Sequence, residues 1–389
     1  MQPPELHVQP TLHRSLPQKH KNRRDGVPED HQRWQLCSRF DAPCAAQCVL
    51  PPRTFATVAH VCAAGLTQNL APPRNSTHRW QVPYAEQARL PPWTMRDVRW
   101  PMATYIVVCH LLALVGIFMI PSCKTATILW ATALWPIGAF GITGGAHRLW
   151  AHRSYRASFA FRAVLMLCNS IANQGTIYHW ARDHRTHHFH SETCADPHDA
   201  GRGFMFAHMG WLFLKKDPRV TEAGRKINMD DLKADSLVMF QLRTDPWWNS
   251  TWAFIFPAFV ARVAWGESLL LGVLVLGFVR YVWLLHCTWC VNSVAHLWGE
   301  RPYDETINPA ENMVVSVLAI GEGWHNWHHK YPFDYAASEF GASSQFNPTK
   351  LAIDMGAALG MVSDRKRATA MWVREKVKRE MVASKVKDQ

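Results

Sequence analysis

The chain has 389 residues, a formal net charge of +12, 21 histidines and 10 cysteines. The cysteines do not form the pattern of a small disulfide-stapled domain, which agrees with a reducing compartment, and Cys37, Cys44, Cys48 and Cys62 lack the C-x-x-C spacing of a zinc site. Cys287 and Cys290 have that spacing but lie in an apolar run, where packing is the better interpretation. The positive charge does not by itself indicate nucleic-acid binding, because a membrane protein needs the same excess on the face that meets an anionic leaflet.

Residues 1–92 hold more than half of the 24 prolines and show no sustained apolar period. This composition predicts a disordered N-terminal extension. Its basic run at 19–24 favours a solvated tail over a contact with lipid or nucleic acid. A targeting presequence is an alternative because acids are sparse, although the segment has no apolar signal core.

Four apolar runs follow in two pairs, at 102–120 and 126–146 and then at 248–265 and 268–291. A bilayer core needs about 20 such residues, so the third run spans it only if the preceding tryptophans lie at the interface. The second run is expected to end just before His147. The fourth continues through His296 as one helix of roughly 43 Å, which lifts that residue out of the bilayer. We therefore predict four transmembrane helices.

The links within each pair are short, and almost all charge lies outside the pairs. The positive-inside rule then places both termini and the central segment in the cytosol. The prediction is a cytosolic cap at 147–247 and 292–367, followed by a basic C-terminal tail at 368–389.

Histidines occur twice in the spacing H-x-x-H-H, once at 184–188 and once at 325–329. On a helix, positions i, i+3 and i+4 share a face, so each triplet presents three imidazoles together. A single histidine is usually a solvated or packed side chain, but two identical triplets indicate a metal site. With two further clusters, the candidate ligands number nine: His147, His152, His184, His187, His188, His296, His325, His328 and His329.

Nine nitrogen ligands exceed the shell of one ion and imply two. Imidazole suits iron, copper, zinc and nickel, so the ligands alone do not identify the element. Asn292, one turn before His296, could hold a metal-bound water through its amide. Redox-active iron is the hypothesis that fits oxygen chemistry.

The motifs H-R-L-W-x-H, A-R-D-H-R-x-H-H, N-S-x-A-H-L and H-N-x-H-H resemble those of the membrane acyl-CoA desaturases, specifically the stearoyl-CoA (delta-9) type, over residues 98–367. The resemblance implies an all-α integral membrane protein with four transmembrane helices and a cytosolic helical cap that holds a histidine-rich di-iron site. It also implies that molecular oxygen is used to remove two hydrogens from C9 and C10 of a saturated fatty acyl-CoA. The nine histidines match the iron ligands of that family, and Asn292 matches its water-holding asparagine.

The same resemblance implies substrate contacts. Positions that bind the coenzyme A head group are matched by Arg182, Asp183, Lys215 and Lys216. Positions that line the acyl entrance are matched by Gln174 and Trp289. Lys215 stands where an arginine is usual, and Gly175 and Met102 replace asparagines of the animal pattern. Alternatively, the two lysines face the membrane surface, and the arginine and aspartate pair only with each other.

Desaturation with reduction of oxygen to two waters takes four electrons, of which the acyl chain provides two. The sequence has no H-P-G-G haem motif, no iron–sulfur cysteine spacing and no dinucleotide-binding glycine motif in a suitable context. A separate donor is therefore expected, and the resemblance names it as cytochrome b5 with its NADH-dependent reductase. Cytochrome b5 is acidic around its haem edge. Lys385 and Lys387 resemble an endoplasmic reticulum retrieval signal, although such short signals also occur by chance.

Two rival functions use similar features. A fatty acyl hydroxylase, or a desaturase of other regiospecificity, shares the histidine scaffold and the first hydrogen abstraction. A zinc transporter is also histidine-rich, but transporters place their ligands near the bilayer midplane, whereas these clusters lie outside the apolar runs.

Overall fold

The computed structural model describes residues 93–341 and 344–387, so the N-terminal extension predicted at 1–92 lies outside the described residues. Within these ranges the regular secondary structure is almost entirely helical. The exceptions are isolated bridges and two short antiparallel strands, β1 (Arg156–Ala157) and β2 (Val362–Ser363), in which Arg156 lies opposite Ser363. The mostly helical fold agrees with the prediction.

The first pair of apolar runs forms a helical hairpin. Helix α1 (Trp100–Met119) is followed by α2 (Thr125–Phe140), which continues as a π-helix over Gly141–Ala151. The two spans, Trp100–Ser122 and Thr125–Ala151, have 23 and 27 residues and are long and apolar enough to cross a membrane. On α1, Leu111, Leu114 and Phe118 are exposed in the manner of a lipid-facing surface.

The sequence predicted that the second apolar run ends just before His147, but the helix extends further. It continues to Ala151, so His147 lies within its π-helical end and His152 forms the C-cap. Glycines permit this packing, because a Cβ on Gly141 would lie 2.0 Å from the backbone nitrogen of Asn169. Wide π-turns are common where a helix carries a functional side chain.

Six helices lie between the two hairpins: α3 (Phe159–Ala172), α4 (Ile177–His190), α5 (Trp211–Phe213), α6 (Pro218–Lys226), α7 (Asp230–Lys233) and α8 (Ser236–Thr244). Helices α3 and α4 begin at N-caps whose hydroxyls, on Ser158 and Thr176, accept backbone N–H bonds from Phe161 and His179. Helix α3 is apolar but shorter than a membrane span, and it packs against α2.

The second hairpin is less regular than the first. Its first arm comprises α9 (Trp247–Ser250), a π-turn at Thr251–Ile255 and α10 (Phe256–Trp265). This arm is not among the three described helices that qualify as membrane spans by length and composition. The second arm, α11 (Leu269–Leu271), a π-helix (Gly272–Val279) and α12 (Arg280–Leu297), forms a 29-residue span that does qualify.

Arg280 lies buried inside this span and lacks a carboxylate partner in the part of the chain that the structure describes. Its guanidinium instead donates to three carbonyl oxygens, those of Ile171 at 3.0 Å, Ala253 at 2.8 Å and Leu276 at 2.8 Å. Ala253 and Leu276 belong to the two π-helical segments, where irregular winding leaves carbonyls available. Arg280 therefore joins three segments and satisfies polar groups that lipid could not.

The links of the two hairpins meet at one end of the spans. The carboxylate of Glu267 accepts the backbone N–H of Lys124 at 2.9 Å and the hydroxyl of Thr127 at 2.5 Å. His147 and His296 lie at the other end, near the C-termini of the second and last spans. The two spans thus deliver both histidines to the same side.

The chain after the last span completes this side. It contains α13 (Met313–Leu318), α14 (His325–Lys330), α15 (Pro348–Ala358), β2 and α16 (Thr369–Lys387). The segment predicted as a basic tail is therefore mainly helical. A core cluster with residues from the end of the second span, α3, α4, α7, α8 and α15 packs the helical end that carries His147 against α4.

Candidate metal centre

The two H-x-x-H-H segments form helices α4 and α14, and their imidazoles face one another. One group of imidazole nitrogens lies within 4.8 Å of one another and comprises His147, His152, His184, His188 and His328. The closest Nε2–Nε2 pairs are His152 with His184 at 2.8 Å and His147 with His328 at 2.9 Å. Three elements of the fold meet at this group: the end of the second span, α4 and α14.

A second group comprises His187, His296 and His329. His325 adjoins it, since its Nε2 lies 3.0 Å from that of His296 and 3.1 Å from that of His329. All nine histidines singled out in the sequence therefore lie in two adjacent groups. Helix α4 divides its triplet between them, because His184 and His188 join the first group and His187 joins the second.

Three carboxylates hold histidines of these groups from outside. Asp196 accepts from Nδ1 of His187 with both oxygens at 2.9 Å, and Glu192 accepts from Nδ1 of His296 at 2.7 Å. An oxygen of Glu322 lies 3.0 Å from Nδ1 of His147. A proton held on Nδ1 leaves the lone pair of Nε2 free to bind a metal ion.

The sequence analysis did not single out these three carboxylates. Each lies within ten residues of a histidine cluster, in the stretches "ETCADPHD" and "GEGWHNWHH". An acidic residue close to a ligand cluster was the available signal. Which histidine each acid contacts depends on packing, since Glu192 and His296 are 104 residues apart.

Burial keeps most of these imidazoles neutral. It lowers the pKa well below the usual value for His152, His184, His188, His325, His328 and His329. Burial acts in the same direction on His187, but the charge and hydrogen bond of Asp196 raise its pKa. Burial would raise the pKa of Asp196, yet His187 holds it at about 2. A neutral imidazole is the form that binds a metal ion.

The donor set fits two transition-metal ions held by nitrogen. Nε2 atoms converge, three Nδ1 atoms are oriented by carboxylates, and burial removes competing protons from most of the rings. Without a metal, so many unprotonated ring nitrogens at 2.8–3.3 Å from one another would lack enough protons to hydrogen-bond. Alternatively, one ion could use His187, Asp196 and His198, which also lie close together.

A narrow cavity of about 40 Å³ lies beside both groups. Its wall includes His147, His184, His187, His325 and Asn292. The remaining lining is mostly apolar and comes largely from the two spans that carry His147 and His296; it includes Ala139, Ile142, Leu284, Thr288 and Val291. Apolar side chains therefore lie directly beside the nitrogen groups.

The six residues predicted to contact the substrate do not all lie at one place in the structure. Arg182, Asp183 and Lys216 form one ion-paired cluster, in which Asp183 accepts from both cations. Lys215 is exposed and donates to the carbonyl of Arg96 at 2.7 Å, so it lies outside that pairing. The sequence analysis left open a pairing of Arg182 with Asp183, and the structure contains it.

Gln174 donates to the hydroxyl of Thr288 at 2.8 Å, and Thr288 lines the cavity. Trp289 instead lies buried in a cluster with Ile106 and Tyr281. Its ring is stacked with that of His110, and the two ring centroids are 6.2 Å apart. It is therefore not part of the cavity wall in this structure.

The fold and the site define a helical membrane protein with two adjacent groups of buried histidines that could bind metal. A family model described as fatty acid desaturase matches residues 125–339, more than half of the chain. The chain belongs to the fatty acid desaturase family, and it is an enzyme of that family.

Several curated proteins are similar over most of their length. The chain is 48% identical over 280 residues to the stearoyl-CoA desaturase of Sus scrofa, which covers 72% of this chain and 77% of that protein. It is 49% identical over 270 residues to the acyl-CoA desaturase of Cyprinus carpio, covering 69% and 82%. Identity to the stearoyl-CoA desaturase of Homo sapiens is 47% over 280 residues, covering 72% and 77%.

Proposed function

We propose that this protein introduces a cis double bond between C9 and C10 of saturated fatty acyl-CoA, such as stearoyl-CoA or palmitoyl-CoA, in the synthesis of unsaturated fatty acids. The observation that carries the proposal is the narrow apolar cavity beside two groups of buried histidine nitrogens. The identity of 47–49% to proteins named stearoyl-CoA or acyl-CoA desaturases supports the substrate class.

Two iron ions are the proposed cofactor. His147, His152, His184, His188 and His328 would hold one ion, and His187, His296, His325 and His329 the other, with Asn292 near the second through water. Iron bound there would supply the oxygen-activating redox chemistry that removes hydrogen from an unactivated carbon. Glu192, Asp196 and Glu322 keep the Nε2 atoms directed inwards.

The remaining site residues position the substrate. The apolar wall formed by Ala139, Ile142 and Leu284 would exclude water from the part of the acyl chain that lies beside the histidines. The cluster of Arg182, Asp183 and Lys216 would bind coenzyme A phosphates through its cations. Lys215 would add a further cation, and Gln174 with Trp289 would lie near the acyl entrance.

We propose that electrons arrive from cytochrome b5, which NADH–cytochrome b5 reductase keeps reduced. One double bond and two waters require two electrons beyond those of the acyl chain, and the sequence shows no carrier motif for them. The excess of lysine and arginine supports an acidic protein as donor, with an encounter rate that decreases as salt screens the charges.

We also propose four membrane spans, with the arm from Trp247 to Trp265 as the third. Trp247 is 80% exposed and would lie at the headgroup level. Because His147 and His296 lie at one end of the spans, both termini, both histidine helices and the donor would be cytosolic. The endoplasmic reticulum membrane is the proposed location.

The test uses the full chain, purified in detergent or nanodiscs, with stearoyl-CoA and oxygen. Cytochrome b5, its reductase and NADH should support repeated turnover, and gas chromatography of the methyl esters should show a double bond at C9. Two tightly held irons per chain are expected. A hydroxylated product, a double bond elsewhere, exchangeable zinc, or sustained turnover without a carrier protein would each contradict the corresponding part of the proposal.

A further inference from the structure

Three aromatic side chains form a continuous column between a surface helix and a histidine helix. Trp372 of α16 lies edge-on to Tyr303, with ring centroids 5.2 Å apart, and Tyr303 lies edge-on to Trp327 of α14 at 4.9 Å. All three belong to one buried cluster. Edge-to-face rings at such separations are in van der Waals contact.

The inner end of this column lies on α14, the helix that carries histidines of both nitrogen groups. Trp327 is completely buried and is linked by a single peptide bond to His328 of the first group, while His325 of the second group is two residues earlier. Its backbone N–H donates to Glu311 at 2.9 Å. The neighbouring Asn326 accepts the backbone N–H of Tyr303 at 2.9 Å, so the two inner rings have fixed positions.

The outer end lies beside two cations, which share Glu375 as an ion-pair partner. The ammonium of Lys330 is 4.8 Å and the guanidinium of Arg379 is 5.5 Å from the ring centre of Trp372. Arg379 is 54% exposed, and Lys376 on the next turn of α16 is exposed as well. Residues 365–389 contain nine lysines and arginines but only three acids, so this end of the chain is strongly basic.

We propose that the basic surface around Trp372 is the docking site of the acidic one-electron carrier, and that the column of Trp372, Tyr303 and Trp327 is the route by which electrons enter. This inference rests on the proposed function, because a desaturase without its own carrier needs such an entry. Each passage oxidises the carrier haem by one electron and reduces the metal centre by one, with no bond made or broken. Two passages supply one turnover.

The column suits this role because electron tunnelling weakens steeply with the gap between groups, and contacting aromatic rings shorten those gaps. Another aromatic ring, that of Trp180, stacks on His184 at 4.8 Å. However, Trp180 lines the cavity, so a carrier that approached there would compete with the acyl chain. The column ends on α14, and none of its three rings lines the cavity.

Docking is tested with the paired substitution Lys376→Glu and Arg379→Glu in the full chain, with cytochrome b5 as the probe. The matched control is Arg225→Glu with Lys226→Glu on α6, whose side chains are 75% and 74% exposed. We expect the pair on α16 to weaken binding of oxidised cytochrome b5 to the metal-free protein by about tenfold at low salt, with a smaller difference at high salt. Equal effects of the two pairs would overturn the docking site.

The route is tested with Trp372→Leu and Trp327→Leu, each compared with the ring-retaining substitution to Phe. Stopped-flow reoxidation of the reduced cytochrome b5 haem should slow severalfold in the leucine variants, whereas reduction by dithionite should be unchanged. The phenylalanine variants should recover most of the rate. A leucine variant whose iron content is normal and whose haem reoxidation matches the wild type would overturn the route.

Failure of the proposed function would look different. In that case the wild-type protein would not accept electrons from cytochrome b5 in a manner dependent on stearoyl-CoA and oxygen. If the wild type does so and the α16 and column variants match it, only the docking site and route are wrong.

Discussion

Both carboxylate oxygens of Asp196 lie 2.9 Å from Nδ1 of His187. Asp196 is itself fixed by backbone N–H bonds from Glu192 at 3.0 Å and His198 at 3.1 Å. This contact orients the one histidine of α4 that belongs to the second nitrogen group. A residue outside the predicted ligand set thus positions a predicted ligand.

We expect Asp196→Asn to weaken metal binding about 10- to 100-fold while leaving the protein folded. The amide has nearly the same shape but loses the charge that stabilises the Nδ1–H of His187. Iron content after dialysis against a graded chelator measures the effect. Unchanged iron retention in the variant would show that this carboxylate does not position a ligand.

Replacing His328 by alanine should abolish desaturation and lower the iron content in parallel. His328 contacts His147 and His188 through Nε2 at 2.9 and 3.0 Å and lies outside the apolar spans, so membrane insertion should persist. The matched control is His190→Ala, on α4 but outside both groups. The iron content of the control should equal that of the wild type. Wild-type turnover in the His328 variant would exclude His328 from the mechanism.

The stability of the folded protein should depend on Glu311 between pH 5 and 8. Burial raises the pKa of Glu311 to about 8 from an ordinary value of 4.5. The folded state therefore keeps a proton that the unfolded state releases above pH 4.5, so stability falls as pH rises towards 8, by at most about 1.4 kcal/mol per pH unit. Above pH 8 this dependence ends.

Glu311→Gln removes this titration but retains an oxygen that can accept the backbone N–H of Trp327. Thermal unfolding of both proteins across this range provides the measurement. The midpoint of the variant should rise relative to the wild type as pH increases from 5 to 8. A constant difference between the two midpoints would contradict a protonated Glu311.

Arg280→Met should destabilise the protein because three buried carbonyls lose their donor. An orphaned buried group costs about 1–3 kcal/mol, and removal of the buried charge offsets part of the total. The control is Arg262→Met, since Arg262 is exposed on α10. A thermal midpoint that falls no further for Arg280→Met than for the control would show that these carbonyl contacts do not stabilise the hairpins.

Deletion of residues 1–90 should leave product formation per mole of inserted protein nearly unchanged. The histidine clusters and the apolar runs all follow this segment in the sequence, so the deletion removes no proposed ligand. Product per mole of iron-loaded protein is the measurement. Complete loss of activity in correctly inserted protein would assign a role to the extension.

Local patterns were sufficient to predict much of the site. The spacing of His184, His187 and His188 predicted that they share one helical face, because that relationship depends only on the 3.6-residue period. The length of the last apolar run likewise predicted a helix extending beyond the bilayer to His296. The structure contains the shared face in α4 and a continuous helical span of 29 residues that includes His296.

Contacts between distant segments could not be predicted in this way. The sequence did not show that His187 separates from His184 and His188 to join another group, nor that Asp196 and Glu192 hold His187 and His296. It also did not identify the carbonyl partners of Arg280 or the buried position of Trp289. These depend on how the helices pack.

The sequence by itself determined which side chains could bind metal and which segments could enter a membrane, because hydropathy and helical period are properties of neighbouring residues. Only the tertiary structure decided how nine imidazoles divide into groups of five and four, and which carboxylate orients which ring. The reason is that an Nε2 atom becomes a ligand position through its distance to atoms on other helices, such as the 2.9 Å between His147 and His328, 181 residues apart.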